Sequence, residues 1–442
     1  MPDLNQIFAQ HIQVLQSRTQ DVLAHNNLEA LIIHSGFAPK IFLDDQDYPF
    51  KCNPHFKHWL PLTQHAHCWL VVNGVDKPKL IYHLAQDYWH AKQDLPDVAW
   101  LEQFEVSILA NPQDIEPLLP DNRQQCAYIG DHPELAEALA IGERNPESVL
   151  NYLHFYRAEK TDYELDCIVK ANKSAVKGHL AAKEAFFAGG SEFEIHLAYL
   201  QAVGCVDQDL PYSNIIALNE HAATLHYTQL QKQGIPDKQR YSMLIDAGAQ
   251  YHGYAADISR TYAFRKSLFS DLILAMEQLQ ATLIESIKIG QCFIDLHAKA
   301  HHLLAHILVD FDLVNCSVPC CVEKGISRVF FPHGLGHFLG LQVHDVGGFM
   351  RSHDGEVKAA PDSDPALRFT RMVGAKQVLT IEPGLYFIAS LLDELANSDA
   401  SSLVNWEKID LLRRFGGIRI EDNIYIGESS VTNISREINW SS

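Results

Sequence analysis

Four acidic residues close short apolar runs of the kind that form buried strands: Asp246 in Met-Leu-Ile-Asp-Ala-Gly-Ala, Asp257 in Tyr-Ala-Ala-Asp-Ile-Ser-Arg-Thr, Glu382 in Leu-Thr-Ile-Glu-Pro-Gly-Leu-Tyr, and Glu421 in Gly-Gly-Ile-Arg-Ile-Glu-Asp-Asn. An unpaired charge in such a place is costly, so a fold for this chain must give these carboxylates partners. Ten residues separate Asp246 from Asp257, with the turn-prone Tyr251-His252-Gly253 between them. An even count lets two antiparallel strands bring both carboxylates to one face. A bound cation relieves the repulsion; without one, a carboxylate must protonate or turn to water. Taken alone, the pair reads equally as two ligands or as turn-associated acids. His337, in Phe-Pro-His-Gly-Leu-Gly-His, adds an imidazole. Four carboxylates and one imidazole suit a hard divalent ion such as Mn²⁺ better than a thiolate zinc site, and bridging carboxylates would allow two ions that together activate water.

The 442 residues are 47% apolar and 20% charged, which fits two or three folded domains rather than a disordered chain. With 55 acidic against 35 basic residues and a formal charge of −20, the surface would repel phosphate backbones and anionic membranes. Nucleic acid and membrane are therefore not expected partners. The start lacks a basic segment followed by an apolar stretch, no window is apolar enough to span a bilayer, and a cytoplasmic location is expected. Nine scattered cysteines without a Cys-x-x-Cys pair suit reduced thiols. Cys316, Cys320 and Cys321 are expected in a loop near Pro319. Gly334, Gly336 and Gly340 miss the dinucleotide-binding spacing, and neither a P-loop nor a Gly-x-Ser-x-Gly elbow is present.

Apolar positions at helical spacing predict a helix over residues 6–26, with short strands at 28–34, 67–73, 80–83 and 127–130 and a helix at 133–139. This is an α/β domain. A long helix-favouring segment over 158–187 follows, with Thr161 and Glu164 as a capping box. Beyond residue 210, strands at 242–246, 253–261, 377–381 and 417–426 alternate with helices at 272–288 and 295–310, an α+β pattern. The expected division is residues 1–157 and 158–442, with 347–364 as a mobile surface loop.

The order Asp, Asp, His, Glu, Glu with these flanking residues resembles the pita-bread metallopeptidases. Arg157-Ala158-Glu159-Lys160-Thr161, Phe42-Leu43-Asp44-Asp45, Tyr48-Pro49-Phe50-Lys51 and Gly416-Gly417-Ile418-Arg419 point to the prolidase branch, which includes organophosphorus acid anhydrolase-type members. The resemblance covers nearly the whole chain. It implies an α/β N-terminal domain on a C-terminal pita-bread catalytic domain, a homodimer, and hydrolysis of Xaa-Pro dipeptides with two Mn²⁺ ions per subunit, Co²⁺ being a possible substitute. Phosphotriester cleavage is a conceivable side activity, because tetrahedral phosphorus resembles the intermediate of peptide hydrolysis. The alternatives are an aminopeptidase P acting on longer peptides and a non-catalytic pita-bread module that binds peptide.

Carried over by resemblance, Asp246 binds one ion, Asp257 and Glu421 bridge, and His337 with Glu382 completes the other. Glu382 also shuttles the proton of the attacking water. His226 and His344, which without the family match read as core histidines, line the site and hydrogen-bond the substrate carbonyl or the tetrahedral intermediate. His333 is expected on the substrate side, or else as a structural loop residue. Arg368 aligns with the arginine that pairs with the substrate's C-terminal carboxylate. Arg419 shares a strand face with Glu421 and either contacts substrate or neutralises the metal carboxylates. Tyr212, Leu225 and Val343 match pocket-lining positions, and Asp45 and Trp89 match positions that reach the partner subunit's pocket in related dimers; for each, ordinary packing is the alternative.

Overall fold

The computed structural model describes residues 4–85 and 95–437. It divides into two compact units, one running to Cys167 and including Ser352–Glu356, the other comprising Ile168–Arg351 and the chain from Val357 onward.

The first unit is built on a six-stranded mixed sheet ordered Glu105–Leu109, Lys79–His83, Trp69–Val72, Ala30–His34, Cys126–Ile129 and Glu143–Arg144. Ala30–His34 is buried throughout, as expected of a central strand covered on both faces. It runs antiparallel to Trp69–Val72 and parallel to Cys126–Ile129. Ile32, Trp69, Ile81, Leu109, Ile115 and Tyr128 share one core cluster. The helix Leu4–Asn26 buries Ile7, Phe8, Ile12, Leu15, Val22 and Leu23, the 3.6-residue stripe visible in its sequence. The strand Glu105–Leu109 was not anticipated: its Glu-Val-Ser-Ile alternates polar with apolar, but the run is short and only Leu109 is buried.

The capping box at Thr161 forms: Thr161 N–H donates to Glu164 Oε2 at 2.9 Å and Glu164 N–H to Thr161 Oγ1 at 3.4 Å. The division at Cys167 falls inside the helix it starts, Asp162–Phe187. The helix's first turn belongs to the first unit because Thr161 Oγ1 lies 2.8 Å from His11 Nδ1 and Glu164 Oε1 lies 3.4 Å from His58 Nε2.

In the second unit, Ile258–Ala263, Ser242–Ala247 and Ile215–Leu218 form one antiparallel sheet, and Gln377–Ile381, Asp422–Ile426 and Val431–Asn433 another. Met243, Ile245 and Ala247 pack with Ala182, Phe186, Ile195 and Tyr199 of two helices, Asp162–Phe187 and Glu192–Val203. Leu244 packs in a different cluster with Ile215, Tyr227 and Tyr386. Period-two alternation therefore places Asp246 on the face opposite those helices. Ile215–Leu218 is a further strand not anticipated from sequence.

Two segments read as continuous strands are each broken at an acidic residue. Tyr254–Ala255 and Ile258–Ala263 flank Asp257, and Gly417–Arg419 and Asp422–Ile426 flank Glu421. At the first break Asn423 takes the place of a neighbouring strand: its Oδ1 accepts from Asp257 N–H at 3.0 Å and its Nδ2 donates to the Asp257 carbonyl. The cysteine segment also differs from expectation. Cys320 and Cys321 lie in a short helix, Val318–Glu323, capped by Ser317, with Pro319 in its first turn, where the missing N–H costs nothing. Residues 347–364 carry no helix or strand, only a bridge between Met350 and Val357.

Candidate active site

Ser259 faces Asp246 across the Ser242–Ala247 and Ile258–Ala263 pair. Asp257 lies two residues before Ser259, so both carboxylates share one face, as the even spacing requires. Glu421 bridges Ser259 from the other side, with its N–H donating to the Ser259 carbonyl at 3.0 Å and its Oε2 accepting from Ser259 Oγ at 2.7 Å. Glu382 follows Gln377–Ile381, and its N–H donates to the Leu335 carbonyl at 2.8 Å. His337 runs beside that strand, exchanging bonds with Thr380 at 2.9 and 3.1 Å. Gly336 allows this approach: a Cβ there would lie 2.0 Å from the Thr380 carbonyl oxygen.

These elements surround a cavity of about 250 Å³ lined by Leu225, His226, Asp246, Asp257, His333, His337, His344, Ala366, Arg368, Glu382, Arg419 and Glu421 among others. It is smaller than the ~300–1,000 Å³ of typical drug-sized sites and suits a small ligand. His337 Nδ1 lies 2.8 Å from the Phe338 carbonyl, which only accepts, so this nitrogen carries the proton. Its Nε2 faces Asp257 at 3.4 Å, Glu382 at 3.7 Å and Glu421 at 3.9 Å. In the neutral ring, a lone pair and three carboxylates converge with no donor among them.

The electrostatics record the same frustration. Burial, with Asp257 and Asp246 nearby, pushes the Glu382 carboxyl up to about 7 against the pull of His337 and Arg419. Burial and the neighbouring carboxylates hold Glu421 well above the usual range. Burial raises Asp246 too, although Arg419 opposes it. Asp257 is the exception, lowered despite burial by its contact with His337, whose own pKa rises in return. Tyr212 adds one hydroxyl proton between two acceptors, Asp246 Oδ1 at 2.9 Å and Asp257 Oδ1 at 2.5 Å. A donor set of four carboxylates and one imidazole in mutual repulsion fits divalent cations of the hard, oxygen-preferring class.

Arg419 is buried, with Nη2 2.7 Å from Asp246 Oδ2, Nε 3.0 Å from Ser259 Oγ and Nη1 2.9 Å from the Tyr386 hydroxyl. One of these bonds pairs the guanidinium with a carboxylate, and Arg419 also lines the cavity. His333 Nδ1 lies 2.8 Å from the Gly334 carbonyl, and its Nε2 accepts from Tyr386 at 2.9 Å. Burial and Arg419 bring its pKa down to about 3, so the ring is neutral. His226, His344 and Arg368 are exposed at the cavity wall. The His344 ring stands edge-on to His337, centroids 4.3 Å apart, and desolvation within the cavity, with His337 beside it, lowers its pKa to about 3. Tyr212 touches the two aspartates rather than standing as an apolar wall. Val343 precedes His344 and is not among the lining residues. Asp45 is exposed in the first unit, its carbonyl accepting from Lys40 at 2.9 Å; Trp89 lies outside the described residues.

Sequence reasoning missed the residues that hold the site from behind. Gln280, buried on the helix Leu268–Glu285, donates through Nε2 to the carbonyls of Ile381 at 2.8 Å and Ile420 at 3.2 Å, each one residue before a glutamate of the site. Its position on the apolar stripe with Met276 and Leu283 is the signal that could have found it. Glu192 is likewise buried and accepts from Leu218 N–H, His221 Nδ1, Tyr227 OH and Gln231 N–H at 2.6–2.9 Å. It thereby anchors the loop that presents Leu225 and His226.

Residues 166–428 match metallopeptidase family M24, and residues 6–155 match the Xaa-Pro dipeptidase N-terminal domain. The chain belongs to metallopeptidase family M24, with an α/β N-terminal domain and an α+β C-terminal pita-bread domain. It is 52% identical over 437 residues to an Xaa-Pro dipeptidase of Aeromonas hydrophila and, over the same length, to one of Shewanella woodyi, with 99% of each chain covered in both cases. Among solved structures, Escherichia coli aminopeptidase P with the inhibitor Pro-Leu superposes with a TM-score of 0.74 at 21% identity, covering 98% of this chain and 95% of that one. That likeness bears on the fold alone.

Proposed function

We propose that this chain hydrolyses Xaa-Pro dipeptides, using cations held by Asp246, Asp257, His337, Glu382 and Glu421. The observation that carries this is the meeting of His337 Nε2 with three carboxylates inside 3.9 Å in a small cavity. The 52% identity to curated Xaa-Pro dipeptidases over nearly the whole chain gives the substrate class. Bound ions would acidify water and polarise the scissile carbonyl. Glu382, facing the cavity, takes a proton from the attacking water and passes it to the departing proline nitrogen, which could not leave as an amide anion. His226 and His344, exposed at the wall, donate to the carbonyl oxygen as its charge develops. Arg368 pairs with the free carboxylate of the dipeptide, while Arg419 holds Asp246 and His333 orients Tyr386. Leu225 shapes the wall, and Tyr212 steadies Asp246 and Asp257.

Finer features belong to the same reading. The oxygen-rich donor set favours Mn²⁺, two ions per subunit, with Co²⁺ as substitute. The family resemblance supports a homodimer in which Asp45 and Trp89 help close the partner's pocket, and a chain division near residue 157. All nine cysteines are free thiols, in keeping with a reducing cytoplasm, and no helix among the described residues is long and apolar enough to cross a membrane. Phosphotriester cleavage would be a side reaction of the same cage.

The deciding assay compares Leu-Pro with a Leu-Pro tripeptide after chelation and after restoring Mn²⁺, Co²⁺ or Zn²⁺. Turnover of the dipeptide only with metal supports the proposal. Preference for the tripeptide would identify an aminopeptidase P, and peptide binding with neither metal nor turnover a binding module.

A further inference from the structure

A second cluster of ligand-type side chains lies outside the cavity and shares no residue with its lining. His297 and His301 stand one turn apart on the helix Phe293–Asp310, both buried. Their Nε2 atoms are 3.2 Å apart, and Asp364 Oδ1 lies 3.3 Å from the first and 3.5 Å from the second. Three donor atoms thus form a nearly equilateral triangle. A tetrahedral ion with bonds of about 2.0–2.1 Å to imidazole nitrogen and carboxylate oxygen sets its ligand atoms about 3.3–3.4 Å apart. The two rings are nearly perpendicular, at 84°, so both nitrogens can aim at one point. Neither Nδ1 has a partner among the described residues, which leaves Nε2 as each ring's engaged atom.

We propose that His297, His301 and Asp364 form a separate metal site for one borderline divalent ion of the Zn²⁺ class, with water completing the tetrahedron. Two imidazoles with a single carboxylate are a softer donor set than the carboxylate cage, so the two sites differ in preference. Arg328 holds both carboxylate oxygens, Nε 2.7 Å from Oδ1 itself and Nη2 3.0 Å from Oδ2, and Ser363 Oγ donates to Oδ2 at 2.6 Å, which leaves the second lone pair of Oδ1 for the ion. Such outer partners orient a ligating carboxylate. The guanidinium side chain is 30% exposed, so solvent screens its charge against the ion. The consequence is local. Asp364 lies four residues before Arg368, and an ion here ties the segment that presents Arg368 to the helix Phe293–Asp310.

The test measures metal per chain in full-length wild type and in the His301→Gln and Asp364→Asn variants, each equilibrated with Zn²⁺ and desalted. The expected result is one ion fewer per chain in both variants, with a circular-dichroism spectrum matching wild type as proof of folding. Equal metal content in wild type and both variants would overturn the proposal and leave a hydrogen-bonded histidine pair. If a variant does not fold, Co²⁺ titration of the metal-free wild type decides: an intense visible band from tetrahedral cobalt supports the site, and weak octahedral absorption alone refutes it. The difference between wild type and variants does not depend on how many ions the carboxylate cage holds.

Discussion

Removing the cations from the carboxylate cage should make stability fall as pH rises. In the metal-free chain the Glu382 carboxyl titrates at about 7 instead of its ordinary 4.5. The unfolded chain therefore releases this proton first, and the folded state is progressively disfavoured as pH climbs from about 4.5 through 7. A displacement of that size corresponds to on the order of 3 kcal/mol. His337, also raised, acts in the same direction: its protonated form favours folding below about 6.5 and that contribution is lost above it. Asp257 is lowered, so its contribution is already complete above pH 4 and adds no slope in this window. The assay is urea unfolding of chelated and Mn²⁺-loaded protein between pH 5 and pH 8. The stability gap between the two forms should widen with pH by a few kcal/mol, because bound cations satisfy the ionised carboxylates. A gap that stays constant over this range, or narrows, would refute the argument that these groups repel one another in a cage built for positive charge.

Other perturbations separate the roles. Asp257→Ala should abolish metal-dependent turnover of Leu-Pro, and full activity in this variant would remove the basis of the mechanism. Gln280→Leu removes a donor from two buried carbonyls, at a cost of about 1–3 kcal/mol; with the two glutamate-bearing segments loosened, metal affinity or activity should drop by about 10–100-fold, and unchanged metal titration with unchanged kcat/KM would show that Gln280 positions nothing. Arg368→Gln should raise KM for Leu-Pro by about tenfold or more, the value of a charge-assisted hydrogen bond, yet leave the dipeptide amide unaffected. An equal loss on both substrates would place Arg368 elsewhere in the reaction.

The legible part of this molecule was the part written locally. Asp246, Asp257, Glu382 and Glu421 each end an apolar run, and the structure brings all four to one cavity, three of them around His337. The capping box at Thr161 and the helical stripe from Ile7 to Leu23 were equally plain. What could not be read depends on partners distant in sequence. The breaks at Asp257 and Glu421 exist because Asn423 and Ser259 supply hydrogen bonds that a continuous ladder would have used. Nothing near Glu192 announces that four donors will converge on it. The short helix at Cys320 was hidden by Pro319, a breaker in most contexts but harmless in a first turn.

The contact between Gly336 and Thr380 restricts how such an enzyme can be redesigned. His337 and Glu382 ride on backbones pressed together without room for a methyl group, so neither can be shifted alone. The wall formed by Leu225, His226 and Arg368 stands on other segments and borders solvent. Selection for a new leaving group should therefore enrich changes along that rim while the interlocked pair stays invariant, a pattern that a randomised library would expose directly.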